Sequence, residues 1–206
     1  MSRGLGDVYK RQVLYDNGVV NEQYLTYKNK SKSSFTDTGK VVHMTVATSL
    51  FAPDAVFTSD KTSKEEVLKE VYGKLLKAGY VKGNFLSHII EREEHYPTGI
   101  DTSPISKELP NVAIPHTEGE FVNARLIVPI ALKHPIKFQN MIAPDESLEV
   151  KFLFMILNND PEGQANVLAQ IMGFLSTTPV EDLIRLFNLT STKEIFDFMS
   201  ENFKQE

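Results

Sequence analysis

Asn111-Val112-Ala113-Ile114-Pro115-His116-Thr117 is the stretch on which the reading of this chain turns. A short apolar run ends in proline, and a histidine, a small hydroxyl and an acid follow. Proline has no N–H and fixes its own φ, so an inner strand is expected to stop at Pro115. His116 is then expected at the strand's exit, clear of the sheet, with its ring free to react. The same seven residues also describe an ordinary core or surface histidine at a strand end. The neighbouring segments have to separate the two.

Working back from the motif, Pro97-Thr98-Gly99 opens a polar loop holding Pro104 and Pro110. Before it, Asn84 is placed to cap a helix running to about His95, with Phe85, Leu86, Ile89 and Ile90 on its buried face. At about 100° per residue, Arg92 falls roughly 90° from the centre of that face, a flanking position from which it can point toward a neighbouring pocket. A first helix precedes it. Ser63 and Glu66 form a capping box, Val67, Leu68, Val71, Tyr72, Leu75 and Leu76 make one stripe, and Lys77 with Gly79 closes it. Ala55-Val56-Phe57 reads as a short strand.

Downstream, Ala124 to Leu132 reads as a strand, with Pro129 pointing to an edge position or a bulge. Ile136 to Phe138 reads as a short returning strand. Val150 to Leu157 is nearly all apolar, as in a central strand covered on both faces. Helices are expected after Asp160-Pro161, bearing Val167, Leu168, Ile171, Met172 and Leu175, after Thr178-Pro179 with Glu181, and after Ser191 with Glu194. Strand, two helices, several strands, three helices: the order predicts an α/β sandwich, a mixed sheet flanked by helices.

Residues 1–43 differ from the remainder. Polar clusters such as Lys28 to Ser34 show no sustained period of 2 or 3.6. Met1 to Gln12 reads as a sequence-assembly scar, and Met44 is the expected start of the patterned domain, 44–206.

The 206 residues suit one domain, or one domain with a tail, and 41% hydrophobic with 24% charged residues is the balance of an ordinary soluble protein. A net charge of −5 argues against a nucleic-acid binder working through a basic surface. Without cysteine there are no disulfides, thiolate zinc sites or cysteine nucleophiles, which accords with a cytoplasmic protein. The longest apolar run, Phe152 to Leu157, is far short of the ~20 residues of a membrane span, and no signal segment opens the chain. The phosphate-cradling Gly-x-x-x-x-Gly-Lys-[Ser/Thr], Gly-x-Gly-x-x-Gly, His-Glu-x-x-His and Gly-x-Ser-x-Gly patterns are all missing.

Five histidines compete for a role. His43 falls beside the unpatterned tail, His88 and His95 on polar sides of the second helix, and His134 in a turn before Pro135. A His116–His134–Asp160 metal site can be drawn, but no ligand spacing supports it. His116 with Arg92 is the more telling pair. Neutral imidazole is a nucleophile near pH 7, and a guanidinium grips two phosphoryl oxygens while compensating their charge. The competing reading of Arg92 is a surface ion pair with Glu91 or Glu93.

Arg92-Glu93, then Tyr96-Pro97-Thr98-Gly99-Ile100, then Val112-Ala113-Ile114-Pro115-His116-Thr117 resembles the type-2 (fructose/mannitol-like) enzyme IIA domain of the bacterial sugar phosphotransferase system. Tyr-Pro-Thr-Gly and Pro135-Ile136-Lys137-Phe138 are most similar to the galactitol-type branch. The resemblance covers roughly Phe51 to Phe203. It implies a mixed sheet flanked by helices and a phosphocarrier that uses no metal or nucleotide. His116 would take a phosphoryl group from the phosphohistidine of HPr and pass it to a cysteine of the IIB component, near the IIC permease, with Arg92 orienting the group. Thr98, Thr117 and Gln164 would be neighbours of the site.

Two features depart from the pattern. The arginine-to-histidine offset of 24 residues is longer than usual for the family, with the excess in Asp101 to Asn111. Where the mannitol and fructose branches carry a second histidine, this chain reads Asn158 to Gln164, and Gln164 can supply a hydrogen bond but no charge. With no IIB cysteine and no IIC span, a stand-alone IIA component is expected. The alternative function is a regulatory IIA-like module whose phosphorylation state controls a partner.

Overall fold

The computed structural model describes residues 49–160 and 164–204, with only the backbone of Gln164 and Ala165. The 1–43 segment, the Met44 boundary and His43 lie outside the described residues, as does Pro161. The elements run β1 (Phe57–Ser59), α1 (Lys64–Lys77), α2 (Phe85–His95), β2 (Gly99–Ile100), β3 (Asn111–Ala113), a 3-10 turn (Gly119–Phe121), β4 (Arg125–Gln139), β5 (Ser147–Asn158), α3 (Gln164–Thr177), α4 (Val180–Asn188) and α5 (Thr192–Asn202). The five strands form one mixed sheet in the order β1-β4-β5-β3-β2. β1/β4 and β3/β5 are parallel, while β2/β3 and β4/β5 are antiparallel. The expected α/β sandwich is the fold observed.

β5 is the middle strand, and its two faces serve two cores. Leu153, Met155 and Leu157 join Val128, Ile130 and Leu132 of β4 under Val67, Leu68 and Val71 of α1 and Phe85 and Ile89 of α2. Phe152 and Phe154 turn the other way, toward Phe187 of α4 at 5.3 and 6.4 Å between ring centres. Phe154 also meets Phe174 of α3 edge-on. A strand covered on both sides can be apolar at every position, which is why Phe152 to Leu157 carries no polar alternation.

The helix starts follow local chemistry in part. Ser63 Oγ accepts from Glu66 N at the start of α1, and Ser191 Oγ accepts from Glu194 N at the start of α5. α1 closes with Gly79 at φ +81, whose N–H and that of Tyr80 bond back to Leu76 and Leu75, a Schellman ending. Leu76 does not belong to the buried stripe and is 40% exposed, as Met172 of α3 is at 42%. Asn84 precedes α2 but makes no side-chain cap, and α4 is entered through Pro179 rather than Thr178.

Three strand expectations are corrected. Gly99–Ile100, read as loop, pairs with Val112–Ala113 to form a hairpin. Ile136 to Phe138 does not return; it continues β4 along β5 after an irregularity between Ala131 and Ile136. β4 is an inner strand despite Pro129. Ile127 N–H points to Leu50 O on the outer side, and residue 129 faces the same way. The β1 ladder starts only at Ile130, so the missing donor of Pro129 falls in the gap before it.

Candidate functional site

The chain does not leave the sheet at Pro115. Ile156 N–H donates to Pro115 O at 3.0 Å, and His116 itself forms a bridge with Ile156. His116 is consequently 9% exposed, where a free ring clear of the sheet was expected. β3 ends as a ladder at Ala113, but the extended backbone stays against β5 for three more residues and delivers the imidazole beside α2.

Both ring nitrogens are engaged. Nδ1 lies 2.8 Å from Ile114 O, and Nε2 lies 2.9 Å from Arg92 Nη2. A carbonyl can only accept and a guanidinium can only donate, so the proton sits on Nδ1 and the lone pair on Nε2. The two contacts thus select the tautomer that leaves the lone pair on Nε2, facing Arg92. Burial lowers the His116 pKa below the usual 6.5, assisted by the Arg92 charge and opposed by the Ile114 hydrogen bond and Glu118. The ring is neutral at neutral pH.

Arg92 is held on three sides. Besides His116, its Nε lies 3.6 Å from Glu118 Oε1, and its guanidinium sits 5.1 Å from the Tyr96 ring centre. The ion pair with Glu91 or Glu93 is not formed. Glu93 instead turns inward, 2% exposed, where Oε1 and Oε2 accept from Thr98 N–H and Thr98 Oγ1 at 3.0 and 2.7 Å. Burial raises its pKa against the pull of those two bonds. Thr98 O in turn accepts from Ile114 N. The Pro-Thr-Gly turn is thereby stitched to α2 at one end and to the histidine strand at the other.

Thr98 and Thr117 are close to His116 in the chain fold, but their hydroxyls are committed elsewhere. Thr98 serves Glu93, and Thr117 Oγ1 donates to Glu118 Oε2 at 2.8 Å. Gln164 opens α3, and its side chain is outside those described. Burial would raise the Glu118 carboxyl, yet the Thr117 hydroxyl, its own N–H and the Arg92 and His88 charges together hold it below the usual range. Glu118 was legible only as an acid near the histidine, since nothing local pairs it with a residue on another element. Arg92, Tyr96, Glu118 and His88 line an open cleft of about 430 Å³, so the guanidinium connects solvent to the buried imidazole.

The long Arg92-to-His116 spacing costs the site nothing. Residues 101–110 form the loop of the β2–β3 hairpin, drawn shut where Thr102 N–H donates to Asn111 Oδ1 and Thr102 Oγ1 lies 3.0 Å from Pro110 O. Extra length bulges out between two paired strands.

Of the other described histidines, His88 and His95 line the same cleft as Arg92, and His134 stays apart. His88 stacks on Phe121 at 3.7 Å, and His134 lies in the β4 irregularity, well along from Ile127, the β4 partner of the residue His116 bridges. The His116–His134–Asp160 set is not assembled, and among the described residues no cluster of three His, Asp or Glu could hold a metal ion.

The family model "Phosphoenolpyruvate-dependent sugar phosphotransferase system, EIIA 2" matches residues 49–202. The chain belongs to that family. This EIIA type-2 chain is 25% identical over 149 residues to the galactitol-specific EIIA component of Escherichia coli K12, covering 72% of this chain and 93% of the relative. The E. coli mannitol IIA crystal structure superposes with a TM-score of 0.57 at 20% identity, over 72% of this chain and 98% of that one. The nitrogen regulatory protein IIA-Ntr of Neisseria meningitidis gives 0.55 at 19% identity, over 73% and 96%. Both share the EIIA type-2 fold. Family members act in phosphoryl transfer, and the E. coli mannitol IIA has been seen in complex with its phosphorylated IIB.

Proposed function

We propose that this protein is a phosphocarrier of the bacterial sugar phosphotransferase system, with His116 Nε2 as the phosphoryl acceptor. The observation that carries the reading is the Nε2 lone pair, fixed by the Nδ1–H bond to Ile114 O and faced by Arg92. The Nε2 pair attacks the phosphorus of phospho-HPr opposite its N–P bond. That bond breaks, its electron pair returns to the donor's ring nitrogen, and Arg92 shifts its donors from Nε2 to the phosphoryl oxygens. Ile114 O stabilises the Nδ1–H of the now electron-poor ring. In the second half-reaction a IIB thiolate attacks phosphorus and the Nε2–P pair returns to His116.

The 25% identity to the galactitol-specific relatives supports a polyol of that kind as the transported sugar, and a cytoplasmic place beside a IIC permease fits the absence, among the described residues, of any helix long and apolar enough to cross a membrane. The test is incubation with phosphoenolpyruvate, enzyme I and HPr. An acid-labile, base-stable phosphate lost in His116→Ala is expected; no label, or equal label in the variant, contradicts the reading. The IIA-Ntr likeness keeps a regulatory role as the second reading. Labelling by HPr with no transfer to a galactitol-type IIB would favour it.

A further inference from the structure

Glu118 is an acid placed where a phosphocarrier would least be expected to hold one. Its carboxylate is anchored by the Thr117 hydroxyl at 2.8 Å and reaches Arg92 Nε at 3.6 Å, while the same guanidinium meets His116 Nε2 through Nη2 at 2.9 Å. One cation therefore stands between the nucleophile and a carboxylate. The arrangement is held in place, since His88 of α2 stacks on Phe121 and Lys82 N–H donates to Phe121 O, fixing the turn that follows Glu118. With 59% of its side chain exposed, Glu118 has no packing role that would require an acid.

We infer that Glu118 sets the phosphoryl-transfer potential of the site, pairing with Arg92 when His116 is free and opposing the phosphoryl group when it is not. The inference rests on the phosphocarrier reading above. In the free protein the carboxylate keeps the guanidinium aligned at Nε2. Once the phosphoryl group is bonded to Nε2, its dianionic oxygens compete for the same guanidinium and repel the carboxylate across it. Both effects favour the dephosphorylated state. The N–P bond is thereby made easier to pass on to a thiolate, and harder to fill from HPr. Glu118 acts through Arg92, so it is a positioning residue, and its contribution is one of charge. The raising influence of Glu118 on the His116 proton affinity is a sign that its field reaches the ring.

The test is the equilibrium between phospho-HPr and this protein, with the wild-type chain and Glu118→Gln, at low and high KCl. Gln keeps an oxygen for the Thr117 hydroxyl and removes only the charge. Glu118→Gln is expected to shift the equilibrium about tenfold toward the phosphorylated protein at low salt, with the gap narrowing at high salt as the field is screened. Phosphoryl release to a IIB thiol should slow correspondingly. An equilibrium within twofold of wild type, a shift toward HPr, or a shift indifferent to salt would overturn the inference. If the wild-type chain takes no phosphate from HPr, the phosphocarrier reading falls and the inference with it. If wild type is labelled and the variant matches it, the inference alone falls.

Discussion

At His116 the chemistry comes down to which nitrogen has the lone pair. Ile114 O on Nδ1 and Arg92 on Nε2 leave one answer, and burial keeps the ring neutral to lower pH than a free imidazole. Phosphoryl acceptance should therefore persist to lower pH than a free imidazole would allow and decline as pH falls through the lowered His116 pKa, measured as the labelling rate by phospho-HPr. Stability should respond to the same group. Its folded pKa lies below the usual 6.5, so the unfolded chain takes up the proton first, and stability is lost as pH falls from about 6.5 through the folded value. His116→Ala should flatten that part of the denaturation-versus-pH curve. Arg92→Lys keeps the charge but loses the fork of donors, and a fall in labelling rate on the order of a hundredfold is expected. What the residue pattern could show was the pair itself, through Arg92 at the flank of its helix and His116 after Pro115. It could not show that the arginine's carboxylate partner is Glu118, because that contact joins α2 to a turn 26 positions later in the chain and no local rule links them.

Among the elements, those governed by near neighbours were legible and those governed by distant ones were not. Ser63 and Ser191 cap as their sequences imply because a cap is settled within four residues. Ser63→Ala should cost about 1 kcal/mol in chemical denaturation. The β2–β3 hairpin was hidden because two residues, Gly99 and Ile100, are too few to show alternation, and their pairing depends on Val112 and Ala113. Gly99 has a further reason to be glycine. A Cβ there would lie 2.5 Å from Gln139 O, where β2 passes the end of β4. Gly99→Ala should destabilise by about 1–3 kcal/mol as the backbone is forced apart. It should also slow labelling, because Thr98, one residue earlier, ties both Glu93 and Ile114. A thermal melt and a labelling time course on the same sample would separate the two effects.

For the molecule as a whole, the mixed sheet with helices on both faces was readable from element order and from the unbroken apolar run of β5. β4 was read as two pieces because the irregularity between Ala131 and Ile136 breaks the alternation that would have joined them. The two faces of β5 answer to different partners, α1 and α2 on one side and the aromatic cluster of Phe152, Phe154, Phe174 and Phe187 on the other. The site grows from the first of these layers, since Arg92 and Glu93 are carried by α2. Phe154→Ala, on the far face, should therefore lower stability by about 3–5 kcal/mol while the folded fraction still accepts phosphate at His116.

The central claim is that Nε2 of His116 takes the phosphoryl group. Nitrogen-resolved ¹⁵N and ³¹P NMR of the protein labelled by phosphoenolpyruvate, enzyme I and HPr tests it most directly. One phosphohistidine is expected, bonded through Nε2, with Nδ1 still protonated and the signal missing in His116→Ala. A phosphoryl group on Nδ1, on another residue, or on none would contradict it.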